Sequence, residues 1–328
     1  MVQIKDVAKH AGVSVASVSR VLSGFSIVSE ATRQRVLQAV KALDYRPDLA
    51  ARRLRSRRND TIGLIVSDIR NPFFTEVSRA VEDIAFSHQM RVILSNTGED
   101  PDKEASCLEL MRDENVSGVI LSPSLRLLAR YAPGDYSFPV VLVDRYERGI
   151  EADAVLLDNF DAAYRLTDHL IGNGHRRILF VYGAASATGR QRLEGHKAAM
   201  AQHNLPVQAE GVQPMADQAR EVALAILKRS QRPQAVVASS GLILLGVAEA
   251  LRESGTVIPQ DIAVAGFDNL PWTRLVDPGL TVIGQPTYEM GREAIELLLL
   301  RIATPDKPMR QVVLRGELVE RGSTAPRT

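Results

Sequence analysis

From residue 61 onward, short runs of consecutive apolar residues alternate with longer stretches in which apolar positions recur every three or four. The runs "TIGLIVSD" (61–68), "RVILSNT" (91–97), "SGVILSPS" (117–124) and "FPVVLVDR" (138–145) predict strands. So do "RRILFVYG" (176–183), "QAVVASS" (234–240), "IAVAGFDN" (262–269) and "LTVIGQP" (280–286). Helical spacing is read at 72–89, 102–115, 160–173, 189–203, 216–230, 242–254 and 287–303. Near-continuous apolar strands between amphipathic helices imply parallel sheets covered on both faces. The strands are too many for one compact sheet, so two doubly wound lobes are expected.

The first sixty residues have another texture. Ile4, Val7, Ala8 and Ala11 share one helical face, and Val18, Val21 and Leu22 another. Gly12 between them suits the left-handed turn that ends a helix, and Ser14 suits the cap of the next. A third helix is expected after Ser29, with Val36, Ala39, Val40 and Leu43 inward and "YRP" closing it. Two short helices joined by a glycine turn, with a third packed across them, make a helix-turn-helix head.

Charge sharpens this division. The chain of 328 residues carries +1 overall, yet residues 1–60 carry +7 and the remainder −6. Five arginines crowd into 52–58. A basic head on an acidic body points to a polyanion partner for the head alone. On the second helix Val15, Ala16, Ser19 and Arg20 face outward. In a major groove Arg20 can donate two hydrogen bonds to a guanine, and Val15 and Ala16 offer apolar contact. Ser17, Thr32 and Arg33 suit phosphate contacts, which position a helix without reading sequence, and the cap Ser14 counts with the DNA-facing residues. The charged N-terminus, the single Cys107 and the lack of any apolar run of membrane length lead us to expect a cytoplasmic protein with no membrane partner.

At these residues the chain resembles the lactose-repressor (LacI) family of bacterial regulators. The likeness is carried by "IKDVAKHAGVSVASVSRVLSG", "VSEATRQRVLQAVKALDYRPDLAARRL", "TIGLIVSDIRNPFF" and "GFDNLPWTRLVDPGLTVIGQP", in that order along the chain. It implies a helix-turn-helix domain over 1–46, a hinge over 47–60, and an effector-binding and dimerisation body over 61–328. The body would divide into a first lobe of about 61–158 plus 287–315 and a second of about 159–286 plus the C-terminal segment. The resemblance implies a homodimer on double-stranded operator DNA. It also implies a hinge that folds on DNA and wedges Leu54 into the minor groove, with Arg55 beside it. Ser23, where the family usually has Asn, departs from the pattern.

Parallel lobes bind ligands beyond the carboxyl ends of their strands. There the sequence places Asn71, Phe73 and Phe74, Asp144 and Arg145, Arg192, Ser240, Asp268 and Gln285. Carboxylates and amides that accept and donate hydroxyl hydrogen bonds, with an aromatic wall, suit a polyhydroxylated ligand. The family's body resembles periplasmic sugar-binding proteins, which implies the same positions, with Trp272 an added wall. In "SSGLILLG" (239–246) Ser240 and Gly241 replace an Asn-Asp or Gly-Asp pair common in relatives. With three arginines in or near the site, a sugar acid or a sugar phosphate is as open as a neutral sugar.

The competing readings are an enzyme on the same scaffold and a sugar-transport component. No G-x-G-x-x-G, phosphate-binding lysine loop or G-x-S-x-G elbow occurs, and the six histidines lack metal-ligand spacing. Cys107 reads as a buried apolar residue. Neither a cofactor nor a metal is expected. The basic head and the charged N-terminus oppose the transport reading.

Overall fold

The computed structural model describes residues 2–22, 28–45 and 60–327. These form two compact units that divide at Asp60.

The first unit contains α1 (Ile4–Ala11), α2 (Val15–Leu22) and α3 (Glu30–Ala42). Gly12 has φ +63 and ends α1, its N–H turning back to the Lys9 carbonyl. The Ser14 hydroxyl accepts the Ser17 N–H at 3.1 Å and starts α2; Ser29 caps α3 through the Thr32 N–H. Val7, Ala8, Val18, Val21, Val36 and Ala39 are buried between the three helices. A core of this size tolerates only small side chains where α1 meets α2, which explains the Val- and Ala-rich texture.

The second unit is two lobes built on the same plan. The first has β1 (Thr61–Val66), α4 (Pro72–Ser87), β2 (Arg91–Asn96), α5 (Pro101–Asp113), β3 (Val119–Leu121), the single turn α6 (Leu125–Leu128), β4 (Val140–Val143) and β5 (Asp153–Leu157). The second has α7 (Asn159–Gly172), β6 (Ile178–Gly183), α8 (Ala187–Gln202), β7 (Gln208–Val212), α9 (Ala216–Leu227), β8 (Ala235–Ala238), α10 (Gly241–Glu253), β9 (Ala263–Phe267) and β10 (Thr281–Gly284). The chain then returns to the first lobe for α11 (Thr287–Ala303) and β11 (Gln311–Leu314), and ends in the second with β12 (Glu317–Val319).

The sheet orders are β11-β5-β4-β3-β1-β2 and β12-β10-β9-β8-β6-β7. All pairs are parallel except β10 with β12. In both sheets the order reverses between the lobe's first and third strands, the place where doubly wound folds open a crevice. Each sheet is sandwiched: β1 and β4 send Ile62, Leu64 and Val141 toward α4 and α11, and Ile65 and Leu142 toward α5. Where α9 crosses α10, a Cβ on Gly246 would lie 2.1 Å from the Ala216 carbonyl, so glycine sets that helix spacing.

The apolar runs locate eight of the twelve strands. The four without such a run are β5, which opens on Asp153, and β7, β11 and β12. The last three are short edge strands with exposed positions. Elsewhere the boundaries shift by up to three residues, as in α9, which ends at Leu227.

Candidate functional site

The equivalence of the lobes extends to their strand ends. Asp144 follows β4 and Asp268 follows β9, the fourth strand of each lobe. Both take left-handed backbones, φ +70 and +73, which Asp tolerates better than most residues. The Asp144 N–H donates to the Val155 carbonyl at 3.0 Å, and the Asp268 N–H to that of Ile283 at 2.9 Å. The turn swings each carboxylate out of its sheet toward the space between the lobes. Asn71 and Ser186 cap the helix that follows the first strand of each lobe, accepting the N–H groups of Phe73 and Gly189.

These strand ends enclose a cleft of about 580 Å³, within the range of small-molecule sites. Asn71, Phe73, Phe74, Asp144, Arg145, Arg192, Ser240, Asp268 and Gln285 all line it. Phe73 and Phe74 pack edge to face at 4.9 Å, and both also belong to the core of the first lobe.

Arg192, from α8, is 3% exposed and lies over the Phe267 ring at 4.0 Å. It donates to Asn159 Oδ1 at 2.7 Å, the Ser239 carbonyl at 2.5 Å and Gln285 Oε1 at 3.3 Å. Burial lowers its pKa against the pull of Asp268 and Asp144. Gln285 in turn donates to Asp268 Oδ1 at 2.5 Å, and the Gly241 N–H donates to Asp268 Oδ2 at 2.7 Å. With no side chain at Gly241, the Asp268 carboxylate can sit against the start of α10, whose cap is Ser240.

Arg145 is held differently. Its guanidinium forks onto Glu99 at 2.8 and 2.5 Å, with Ser67 Oγ at 3.1 Å. Burial opposes the charge on Glu99, but the paired hydrogen bonds of Arg145 hold its carboxyl below the usual range. Asp144 has far less. Among the described residues its side chain's one ion pair is with Arg145 Nε at 3.5 Å, and burial pushes its carboxyl up despite the charges of Arg145 and Arg192.

One expected wall is absent from the cleft. Trp272 sits on the 3-10 turn Pro271–Arg274, half-buried against the core of the second lobe. The turn diverts the chain after Asp268, so the ring packs behind the site rather than in it. Sequence reasoning also missed Glu99, Asp68, Ser186 and Thr188. Asp68 was read as the last residue of the run 61–68, and Glu99 lies in the charged loop after the run 91–97. Their one signal is that each precedes or follows a strand end.

In the first unit Val15, Ala16 and Arg20 are exposed on one face of α2, with Ser19 half-buried beside them. The hydroxyls of Ser14 and Ser17 bond to each other at 2.9 Å, and Ser29 Oγ donates to Thr32 Oγ1 at 3.0 Å. Arg33 is exposed at the start of α3. Leu54, Arg55 and Ser23 lie outside the described residues.

Comparison with known proteins adds to this geometry. Residues 3–48 match the family model of bacterial regulatory proteins, lacI family, and residues 167–324 a periplasmic binding protein-like domain. The ribose operon repressor of Halalkalibacterium halodurans is 34% identical, over 99% of this chain and 97% of its own. A lac repressor dimer solved on operator with the anti-inducer ONPF superposes with a TM-score of 0.88. It covers 99% of both chains at 24% identity. A LacI-family regulator from Enterococcus faecium solved with ribose is 29% identical, with a TM-score of 0.72 over 82% of this chain and 100% of that one.

Proposed function

The chain belongs to the lacI family of bacterial regulatory proteins, and on that premise we propose that it acts as a cytoplasmic homodimer whose operator affinity is set by a neutral sugar held between the two lobes. It is a DNA-binding transcriptional regulator of the repressor class, not an enzyme. Among the described residues no helix is long and apolar enough to cross a membrane.

The observation that carries the choice of ligand is how the cleft's arginines are already matched. Arg145 is forked by Glu99, Arg70 meets Asp68 at 2.8 Å, and Arg126 meets Asp102 at 2.7 Å. Arg192 spends three of its five N–H groups on neutral oxygens, with the carboxylates of Asp144 and Asp268 close by. Among the described residues of the cleft, three guanidiniums already face a carboxylate at 2.8 Å or less, and Arg192 shares its charge with Asp144 and Asp268. An anion entering here would also meet the carboxyl groups of Asp144 and Asp268, which compete for the same arginines. A hydroxylated ring supplies donors to Asp144, takes the remaining Arg192 N–H groups, and lays its C–H face on Phe73.

Regulation then follows from the two-lobed plan. Each copy of the chain sets one head in a half-site, with Arg20 reading bases and Ser17, Thr32 and Arg33 on phosphates. The hinge at 47–60 folds on DNA and places Leu54 in the minor groove. Ligand closing the cleft shifts one lobe against the other, and so changes how readily the two hinges of a dimer fold together. Couplings of about 1–3 kcal/mol are typical of such linkage.

Ribose, named in two of the similar proteins, is the first probe. Thermal-shift scans of the full-length protein with pentoses and hexoses should find a neutral sugar that raises the melting temperature, because a ligand of the folded state stabilises it. Ribose 5-phosphate and gluconate should not match it. Tighter binding of either anion would refute the reading.

A further inference from the structure

We infer that the first lobe carries a second ligand site, at the end of its sheet away from the cleft, which takes a neutral aromatic compound and acts on operator binding from there. The inference goes beyond the sugar reading and does not depend on it.

The sequence concentrates rings at one place. Aromatic residues make up 5% of the chain, yet Tyr131, Tyr136 and Phe138 crowd into the loop that leads to β4. The fold sets them in a row: the Tyr136 ring lies 6.1 Å from that of Tyr131 and 5.9 Å from that of Phe138. All three line a cavity of about 400 Å³, within the range of small-molecule sites. Ile302, Pro305 and Met309 join them from the end of α11 and the loop after it, and Met309 is 44% exposed. Such a lining accepts a further ring by offset or edge-to-face stacking.

The polar groups decide the ligand's charge. Among the described residues that line this cavity only Asp153 and Arg301 are charged, and they pair at 2.7 Å. Arg301 also donates to the carbonyls of Pro305, Lys307 and Pro308, so all five of its N–H groups are engaged. Asp153 accepts the Arg310 N–H at 2.8 Å as well. An ionic ligand would compete with this buried pair, and a neutral one leaves it intact. The hydroxyls of Tyr131 and Tyr136 have no hydrogen-bond partner among the described residues. Burial pushes both up from the usual phenol range, so both stay protonated and can donate to an oxygen of the ligand.

The cavity's place in the sheet gives it a route to the head. Ser117, Pro139 and Ala152 stand at the amino ends of β3, β4 and β5, whereas the sugar cleft lies at the carboxyl ends. Strand β3 pairs with β1, and the Ser117 N–H donates to the Thr61 carbonyl at 2.8 Å. Thr61 begins β1 directly after the proposed hinge at 47–60. A ligand packed against Ser117 therefore bears on the strand that the hinge joins, without entering the cleft. If it favours one arrangement of that strand end, it shifts operator affinity.

Ligand-observed NMR and isothermal titration of the full-length protein test this, with benzamide and benzyl alcohol as neutral probes and benzoate and benzylamine as charged ones. A neutral probe should bind with a millimolar or lower Kd, and fivefold or more tightly than either charged analogue. Met309→Asp and Tyr131→Phe should each weaken it threefold or more, while Asp144→Asn, in the cleft, changes it less than twofold. At saturation the probe should shift operator affinity twofold or more in fluorescence anisotropy. The inference falls if neither neutral probe saturates at millimolar concentration, or if a charged analogue binds as tightly. It falls equally if Asp144→Asn weakens the probe as much as Met309→Asp does, which would put the probe in the cleft. Saturable binding that leaves operator affinity unchanged would overturn the site's action on the head.

Discussion

Replacing Asp144 by Asn separates ligand recognition from folding in a single side chain. Asp144 is 7% exposed and carries a carboxyl that burial pushes up; among the described residues its side chain's one ion pair is with Arg145 Nε at 3.5 Å. Arg145 does not depend on it, because Glu99, Ser67 and the Pro123 carbonyl hold the guanidinium. Asn has nearly the same shape and tolerates the φ of +70.

In the ligand-free protein the substitution removes a buried, weakly partnered charge, and the body should become more stable at neutral pH. The sign follows from linkage. A carboxyl whose folded pKa lies above its unfolded value costs nothing below the unfolded pKa, and its cost grows as pH rises through the folded one. The advantage of Asn should therefore be present at pH 7 and vanish in acid. With ligand the balance reverses, since a hydroxyl donated to a carboxylate is worth about 1.5–3 kcal/mol and to an amide oxygen less. The difference, about 1–1.5 kcal/mol, should lower affinity roughly 5- to 12-fold. Titration calorimetry with the sugar found by thermal shift, alongside urea unfolding and operator binding, reads all three quantities. Unchanged ligand affinity, or ligand and operator binding lost together, would refute the reasoning. Arg192 makes a poorer test, because its removal strands the Ser239 carbonyl, Asn159 and Gln285 in the interior.

Other outcomes follow from the same physics. Arg20→Ala should weaken binding to the specific operator by about 1–3 kcal/mol and leave binding to random duplex nearly unchanged, as read by fluorescence anisotropy at fixed salt. Leu54→Ala should lower operator affinity and leave ligand affinity measured without DNA unchanged, the outcome expected if Leu54 enters the minor groove as we propose. His196 is fully buried, stacked on Phe180 at 4.8 Å and bonded to Thr167 through Nδ1. Burial pulls its pKa down to about 4, so the stability it allows is intact above the unfolded value near ~6.5 and lost as pH falls toward 4. Between pH 7.5 and 4.5, His196→Leu should lose about 3 kcal/mol less stability to urea than the parent chain, and equal losses would contradict the assignment.

The parallel lobes were legible because a strand buried on both faces has to be apolar at nearly every position, as "FPVVLVDR" and "IAVAGFDN" are. The cleft residues were legible for a topological reason: parallel strands present their loops at the carboxyl ends, so the polar residue that closes each run faces the crevice. Asp144, Asp268 and Gln285 follow that rule. What the rule cannot supply is who pairs with whom. Glu99 looks like a solvated loop residue until the fold sets it against Arg145, and that pairing changes the ligand chemistry the cleft favours. Trp272 shows the opposite failure. It is near Asp268 in sequence, but one 3-10 turn carries its ring to the lobe's core. Strand β7 was invisible because edge strands with solvent on one side need no apolar run.

The most direct test is a pair of operator-binding isotherms for the full-length protein, on a fragment selected from genomic DNA, without ligand and with the identified sugar at saturation. Linkage predicts a shift of fivefold or more in operator affinity, with the reciprocal shift in sugar affinity when operator is present. Superimposable isotherms, with the sugar demonstrably bound, would contradict the claim that the cleft governs the head.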